Sequence, residues 1–237
     1  MGRKVCILNE LVGNSVYFGM GISLLAYIIS LGLKKKFKLS ILNPLLVSIV
    51  IVIVFLIVSG IDYDRYNQGG KYISYFLTPA TVCLAIPLYQ QLGLLKNNFK
   101  AIMIGILTGV LTSLCSILAL SFIFKLTHEQ YITMLPKSVT TAIGIAVSEE
   151  LGGIKTVTTA VIVLTGILGN VLGEGVCRLF KIKNPIAVGL ALGTASHAIG
   201  TTKALEFGEV QGAMSSLSIA ISGLLTVILA PVFANFL

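Results

Sequence analysis

No charged residue interrupts the chain between Val12 and Leu33, and that run stops at a knot of basic residues, Lys34, Lys35, Lys36 and Lys38. About 20 consecutive apolar residues suffice for a helix to cross the hydrocarbon core of a bilayer. The run therefore predicts a first spanning helix; a signal peptide would end in a small-residue cleavage site instead. Ile41 to Ile61 predicts a second span, because the stretch is too long and continuous for the strand its β-branched residues would favour in water. Ala101 to Phe124, Val157 to Cys177 and Gln211 to Leu237 predict three more, and Pro185 to Thr202 a shorter, glycine-rich one. The polar stretch Asp62 to Lys71 predicts a loop.

Two further segments are apolar but broken. Tyr72 to Gln91 contains Thr78-Pro79-Ala80-Thr81 and Pro87, and Ile132 to Ser148 contains Leu135-Pro136-Lys137-Ser138 and Gly144. Proline inside a helix removes a backbone hydrogen bond and clashes with the preceding turn. In lipid the freed groups survive only where protein or a wet cavity satisfies them. At a constant offset of 57 residues, Pro79 falls on Pro136, Thr81 on Ser138, and Leu107-Thr108-Gly109 on Leu164-Thr165-Gly166. The pattern predicts an internal repeat of a broken helix followed by a span, as in secondary transporters. The expected fold is an all-α polytopic membrane protein of about seven to eight transmembrane segments, two of them broken or re-entrant. It reads as one integral membrane domain over residues 1–237: two N-terminal spans (12–61), repeat units at 72–124 and 132–181, and C-terminal spans (185–237).

Composition narrows the function classes. Of 237 residues 56% are hydrophobic and only 11% charged, where a soluble domain carries about 25% charged. A soluble enzyme or nucleic-acid reader is excluded. The net charge of +8 does not form a face. Its residues cluster at Lys34–Lys38, at Lys96 and Lys100, and at Arg178, Lys181 and Lys183, the pattern of cytoplasmic loops. That rule puts the first loop inside. Making one broken segment a re-entrant hairpin puts the Arg178–Lys183 loop inside as well and inverts the repeats relative to each other. Cys6, Cys83, Cys115 and Cys177 are scattered without a C-x-x-C pair, which predicts neither disulfide framework nor zinc site.

A proline at the first helical position wastes no donor, and the amides after it face outward with roughly half a positive charge. Two such half-helix starts meeting at mid-membrane would suit a small monocarboxylate. Pro79 and Pro136 are the candidate starts. Thr78 and Thr81 from the first unit, and Ser138, Thr140 and Thr141 from the second, offer hydroxyls, and Lys137 offers a full charge. The alternative is a pair of tolerated kinks repaired locally by Thr and Ser. A second constellation, Gly189 to Thr202, sets Thr194, Ser196 and His197 among small residues. An ionisable group at membrane depth points to an ion or proton pathway, so His197 is the candidate proton-coupling residue; the alternative is a neutral histidine bonded to a neighbouring helix. A Ser196–His197 hydrolase lacks an acid partner. No metal site or cofactor is expected, and Glu174 and Arg178 are spaced for an i,i+4 ion pair.

The motifs from Leu77 to Tyr89, from Leu135 to Thr141 and from Gly189 to Thr201 together resemble the LrgB family of bacterial membrane proteins, the LrgB and CidB antiholin-like proteins, over nearly the whole chain. Many relatives have proline in place of Ala142 and alanine in place of Thr202. The resemblance implies two activities. One is antiholin-like or holin-associated control of murein hydrolases and autolysis, together with a small LrgA-like membrane protein. The other is movement of small carboxylates, as in the plastidial glycolate/glycerate translocators and the bacterial members associated with pyruvate. The early first span resembles the free-standing bacterial form, which implies a multi-pass protein of the bacterial cytoplasmic membrane. Residues and resemblance together favour a secondary transporter of small monocarboxylates, coupled to protons if His197 titrates, over the lysis regulator. Expected partners are the carboxylate, the lipid bilayer, the LrgA-like protein and a second copy of the chain; nucleic acid is not among them.

Overall fold

The computed structural model describes residues 17–37, 43–83 and 85–237, all helical or in connections between helices. Among them the helices Phe18–Phe37, Phe99–Phe124, Lys155–Leu179 and Glu209–Ala234 are long and apolar enough to cross a membrane. The chain is an all-α, multi-pass membrane protein. The first predicted span begins at Val12, so its residues 12–16 lie outside the described residues, as do 38–42.

Contacts divide the chain into two compact units, Met1–Cys83 and Leu84–Leu237. The first contains α1 (Phe18–Phe37), α2 (Pro44–Ser59), α3 (Tyr63–Ser74) and α4 (Leu77–Cys83). Asn43 caps α2, accepting from the amides of Leu45 and Leu46, with Pro44 at the first position, and Gly60 closes it at φ 66°. The predicted loop at 62–71 is instead α3. Its polar sequence becomes helical because α1 gives it a partner: Gly19 touches the backbone at Tyr66, and Ser23 Oγ lies 2.8 Å from the Tyr66 hydroxyl. Pro79 is the third residue of α4, in the first turn, where proline is tolerated.

The second unit contains α5 (Ala85–Gln90), α6 (Leu92–Asn97), α7 (Phe99–Phe124), α8 (His128–Met134), α9 (Thr141–Glu150), α10 (Lys155–Leu179), α11 (Pro185–Phe207) and α12 (Glu209–Ala234). Its core follows from one face of α7, where Ile102, Ile106, Val110, Leu114 and Ile117 recur at helical spacing and are buried with Tyr131, Ile132, Leu135 and Met214.

Two hairpins give the unit its form. The first is α8–α9. Thr133 and Ser148 both bond Thr158 near the start of α10, so the hairpin opens beside that end of α10. Its tip is the turn of residues 135–140. Pro136 was expected at the first position of a half-helix; it sits instead, buried, inside this turn, and the helix begins five residues later at Thr141 with Thr140 extended before it. The tip is held by amide bonds from Lys137 to Met134 and from Val139 to Pro136, and Pro136 O adjoins Gly144.

The second hairpin is α11, read from sequence as a short continuous span. Ser196 (φ −135°, ψ 17°) and His197 (φ 41°, ψ −136°) are not helical, and the chain reverses there. Along the arm 185–195, Gly189 meets Gln211 and Met214, and Gly193 meets Ser215 and Ser218 of α12. Along the arm 198–207, Thr201 bonds Ser215 and Leu205 meets Gly212, in the opposite direction. Residues 189 and 205 would be about 24 Å apart in a straight helix, yet both reach the start of α12. This hairpin opens beside the end of α10. A non-glycine residue at such φ and ψ costs about 1–3 kcal/mol. The reversal is sustained by the bond between His197 Nε2 and Ile162 O, 3.1 Å, and by Thr201 Oγ1 donating to His197 O. Gly200 has no side chain to strike Leu192 O across the hairpin.

Candidate functional site

The first tip adjoins the second hairpin: Ser138 and Val139 of the tip and Thr194, two residues before the reversal at Ser196, line one small chamber. In front of them lies a cavity of about 690 Å³ between α7, the first tip and the arm 185–195. The α7 wall is the face opposite the apolar core. Asn98, Ala101, Gly105, the pairs Thr108-Gly109 and Thr112-Ser113, and Ser116 recur at three- and four-residue spacing. The arm contributes Asn184, Ile186, Ala187, Leu190, Ala191, Thr194 and Ala195. Gly105 and Gly109 let α7 close on Leu190 and Thr194. Pro185 occupies the first helical position of its arm, and Asn184 caps it by accepting from the amides of Ile186 and Ala187. Asn98 and Asn184, each at the start of its helix, mark the same end of the cavity, so α7 and the arm run in parallel. Lys96, Lys100, Lys181 and Lys183 flank that end in sequence and are exposed.

At the inner end stands Lys137. Its Nζ donates to Ser138 Oγ at 3.0 Å and lies 3.4 Å from Ser113 Oγ, and the two serine hydroxyls are 3.2 Å apart. No carboxylate pairs with it among the described residues. Lys203, also partly buried, is neutralised by Glu206 at 2.9 Å and Glu174 at 3.5 Å, and Glu174 also takes Arg178 at 2.6 Å as the i,i+4 spacing predicts. Thr194 Oγ1, on a residue 6% exposed, has no hydrogen-bond partner among the described residues.

Of the residues singled out from sequence, Lys137, Ser138 and Thr194 line the cavity together. Pro136 is buried behind the tip, and Thr140 and Thr141 start α9, half-buried. Ser196 (2% exposed) and His197 (3%) form the other tip. The bonded partner of the His197 ring is the Ile162 carbonyl rather than Ser196. Thr78 and Pro79 are exposed on α4, in the other unit, with Thr81 on the same helix. The α7 hydroxyls escaped the sequence reading. Their signal was present as the recurrence of Gly, Thr and Ser on one face of an otherwise aliphatic span.

The model of the LrgB-like family matches residues 23–236. Two curated relatives, both named Antiholin-like protein LrgB, come from Bacillus cereus (strain B4264) and Bacillus anthracis (strain A0248). Each is 40% identical over 225 residues, covering 93% of this chain and 96% of the relative. No solved structure matches. A family match over nearly the whole length, with relatives of this identity, means that the chain belongs to the LrgB-like family.

Proposed function

We propose that this chain is a secondary transporter of small monocarboxylates of the pyruvate, glycolate or glycerate kind in the bacterial cytoplasmic membrane, with Lys137 as the charge that receives the substrate. The observation that carries the reading is an ammonium that has no carboxylate partner among the described residues, held by two serine hydroxyls at the inner end of a 690 Å³ cavity. An isolated buried charge is costly unless a counter-charge visits it, and the cavity has the size of a ligand pocket. Ser113, Ser138 and Thr194 add donors for a second carboxylate oxygen, a keto group or a hydroxyl. The cationic residues beside Asn98 and Asn184 attract anions to the mouth, and the positive-inside rule assigns that end to the cytoplasm.

The architecture supports the same reading. Hairpins that open at opposite ends of α10, the tip of the first meeting the second just before its reversal, fit a carrier built from inverted repeats, with the site between them. In this reading α7 with the first hairpin is repeated by α10 with the second, and Leu107-Thr108-Gly109 and Leu164-Thr165-Gly166 lie on the two antiparallel spans. Proton coupling falls to His197 at the second tip. The second reading, an antiholin-like regulator of murein hydrolases acting with an LrgA-like partner, is favoured by the names of the relatives. Proteoliposomes decide between them. A carrier accumulates labelled pyruvate, glycolate or glycerate, loses uptake when an imposed pH gradient is collapsed, and retains a trapped dye. Dye leakage without carboxylate selectivity supports the second reading.

A further inference from the structure

Behind the Lys137 site lies a second space. A chamber of about 10 Å³, on the scale of one water molecule, is walled by apolar side chains and by the hydroxyl-bearing Ser222 and Thr226 of α12. Its wall toward the larger cavity is one residue thick, since Ser113, Ser138 and Thr194 line both spaces. Thr194 Oγ1 is buried without a partner among the described residues, and a buried hydroxyl left unbonded costs about 1–3 kcal/mol. A close-packed core would place an aliphatic side chain at such a point. An unbonded hydroxyl in a partition between two spaces marks a place where a polar guest completes the bonding. The other buried side-chain polar atom without a partner among the described residues is Ser121 Oγ. It lies eight residues beyond Ser113 on α7, roughly 12 Å further from the mouth.

We infer that Ser113, Ser138 and Thr194 form the inner gate of the anion path, and that the chamber bounded by Ser222 and Thr226 is the next station beyond it. The inference rests on the carrier reading above and adds the direction in which the substrate leaves Lys137. Three hydroxyls offer donors to a carboxylate as it parts from the ammonium. The chamber holds no charge, so an anion that enters is bound weakly enough to move on. As described, the gate is closed to anything larger than water. Passage of a three-carbon acid requires the 135–140 tip and the 185–195 arm to separate, a movement that the two chain reversals permit without unfolding either helix.

Ser222→Leu and Thr226→Leu fill the chamber without altering Lys137 or the gate hydroxyls. Each is expected to cut pyruvate uptake into proteoliposomes roughly tenfold or more, while saturable pyruvate binding by the purified protein stays within about twofold of the parent. Unchanged uptake in both variants, or parallel loss of binding and uptake in folded protein, overturns the gate. Should the leucine variants fail to fold, Thr226→Cys in a chain whose own four cysteines are serine decides the matter. A charged methanethiosulfonate is expected to react faster when pyruvate is present, and no reaction in its presence overturns the inference. If the parent protein neither binds nor accumulates a carboxylate, the carrier reading falls first and takes the gate with it.

Discussion

Lys137→Gln is expected to lower pyruvate uptake by proteoliposomes roughly 10- to 100-fold, because a hydrogen bond to a charged group contributes about 1.5–3 kcal/mol and each 1.36 kcal/mol is tenfold. Glutamine is one atom shorter and keeps an amide donor, but has no charge to offer an anion. The substitution removes an ammonium that has no carboxylate partner among the described residues, so it relieves a desolvation cost and leaves thermal stability equal or higher. Loss of uptake in a protein at least as stable as the parent therefore isolates binding from folding. Lys155→Gln serves as the control. It breaks an exposed 3.5 Å pair with Glu149, an interaction of little consequence, and uptake is expected to remain at the parent level. Equal uptake by Lys137→Gln and Lys155→Gln would remove Lys137 from the site.

Gly193→Val carries the largest expected effect on stability. A Cβ at Gly193 would lie 2.8 Å from the Ser215 Cα and closer still to Ser215 O and Ser218 Oγ. Backbone atoms in a packed helix cannot step aside as the end of a flexible side chain does. Overpacking a core typically costs 1–3 kcal/mol, and a backbone collision belongs at the top of that range, about 3 kcal/mol. For a chain of this size that corresponds to a fall in Tm of roughly 6–12 °C, read from helical circular dichroism in detergent. Gly175→Val on α10 is the matched control, since nothing lies within 4 Å of its Cβ position. Its Tm is expected to stay within about 2 °C of the parent. A Gly193→Val protein as stable as Gly175→Val would mean that the arm 185–195 is not seated on α12 as described.

What the sequence revealed and what it concealed have physical reasons. The spans α7, α10 and α12 were legible to within three residues because long uncharged runs have one good solution in lipid. The break at 135–140 was legible because proline announces it, although Pro136 proved to be part of the turn and not the start of the next helix. The reversal at Ser196–His197 carries no proline. Small residues from Gly189 to Gly200 looked like a close-packing stripe, and they are one, but the surfaces they join include the two arms of a single hairpin. A histidine at φ 41° gives no local signal, since its conformation is imposed by the bond to Ile162 O and by the seat on α12. The α3 helix was missed for a similar reason: its partner at Gly19 and Ser23 is remote in sequence.

The candidate site divides along the same line. Lys137, Ser138 and Thr194 were legible as polar residues in apolar surroundings. Ser113 and Thr112 were not, because a hydroxyl inside a long span ordinarily bonds its own helix, as Thr108 and Ser116 do. The expected meeting of two proline-led helix starts is replaced, within the second unit, by two hairpin tips, where Thr141 and residue 198 begin the inner half-helices. Both starts reach Ile162 of α10, one through Gly144 and the other through His197. Pro79 belongs to the other unit.

The central claim is that a small carboxylate binds at Lys137. Equilibrium binding of radiolabelled pyruvate, glycolate and glycerate to the purified protein in detergent tests it without any assumption about coupling or direction. Saturable binding of at least one of the three, abolished in Lys137→Gln and retained in Lys155→Gln, is the predicted result. Absence of saturable binding to the parent protein, or binding that survives the loss of the Lys137 charge, would contradict it.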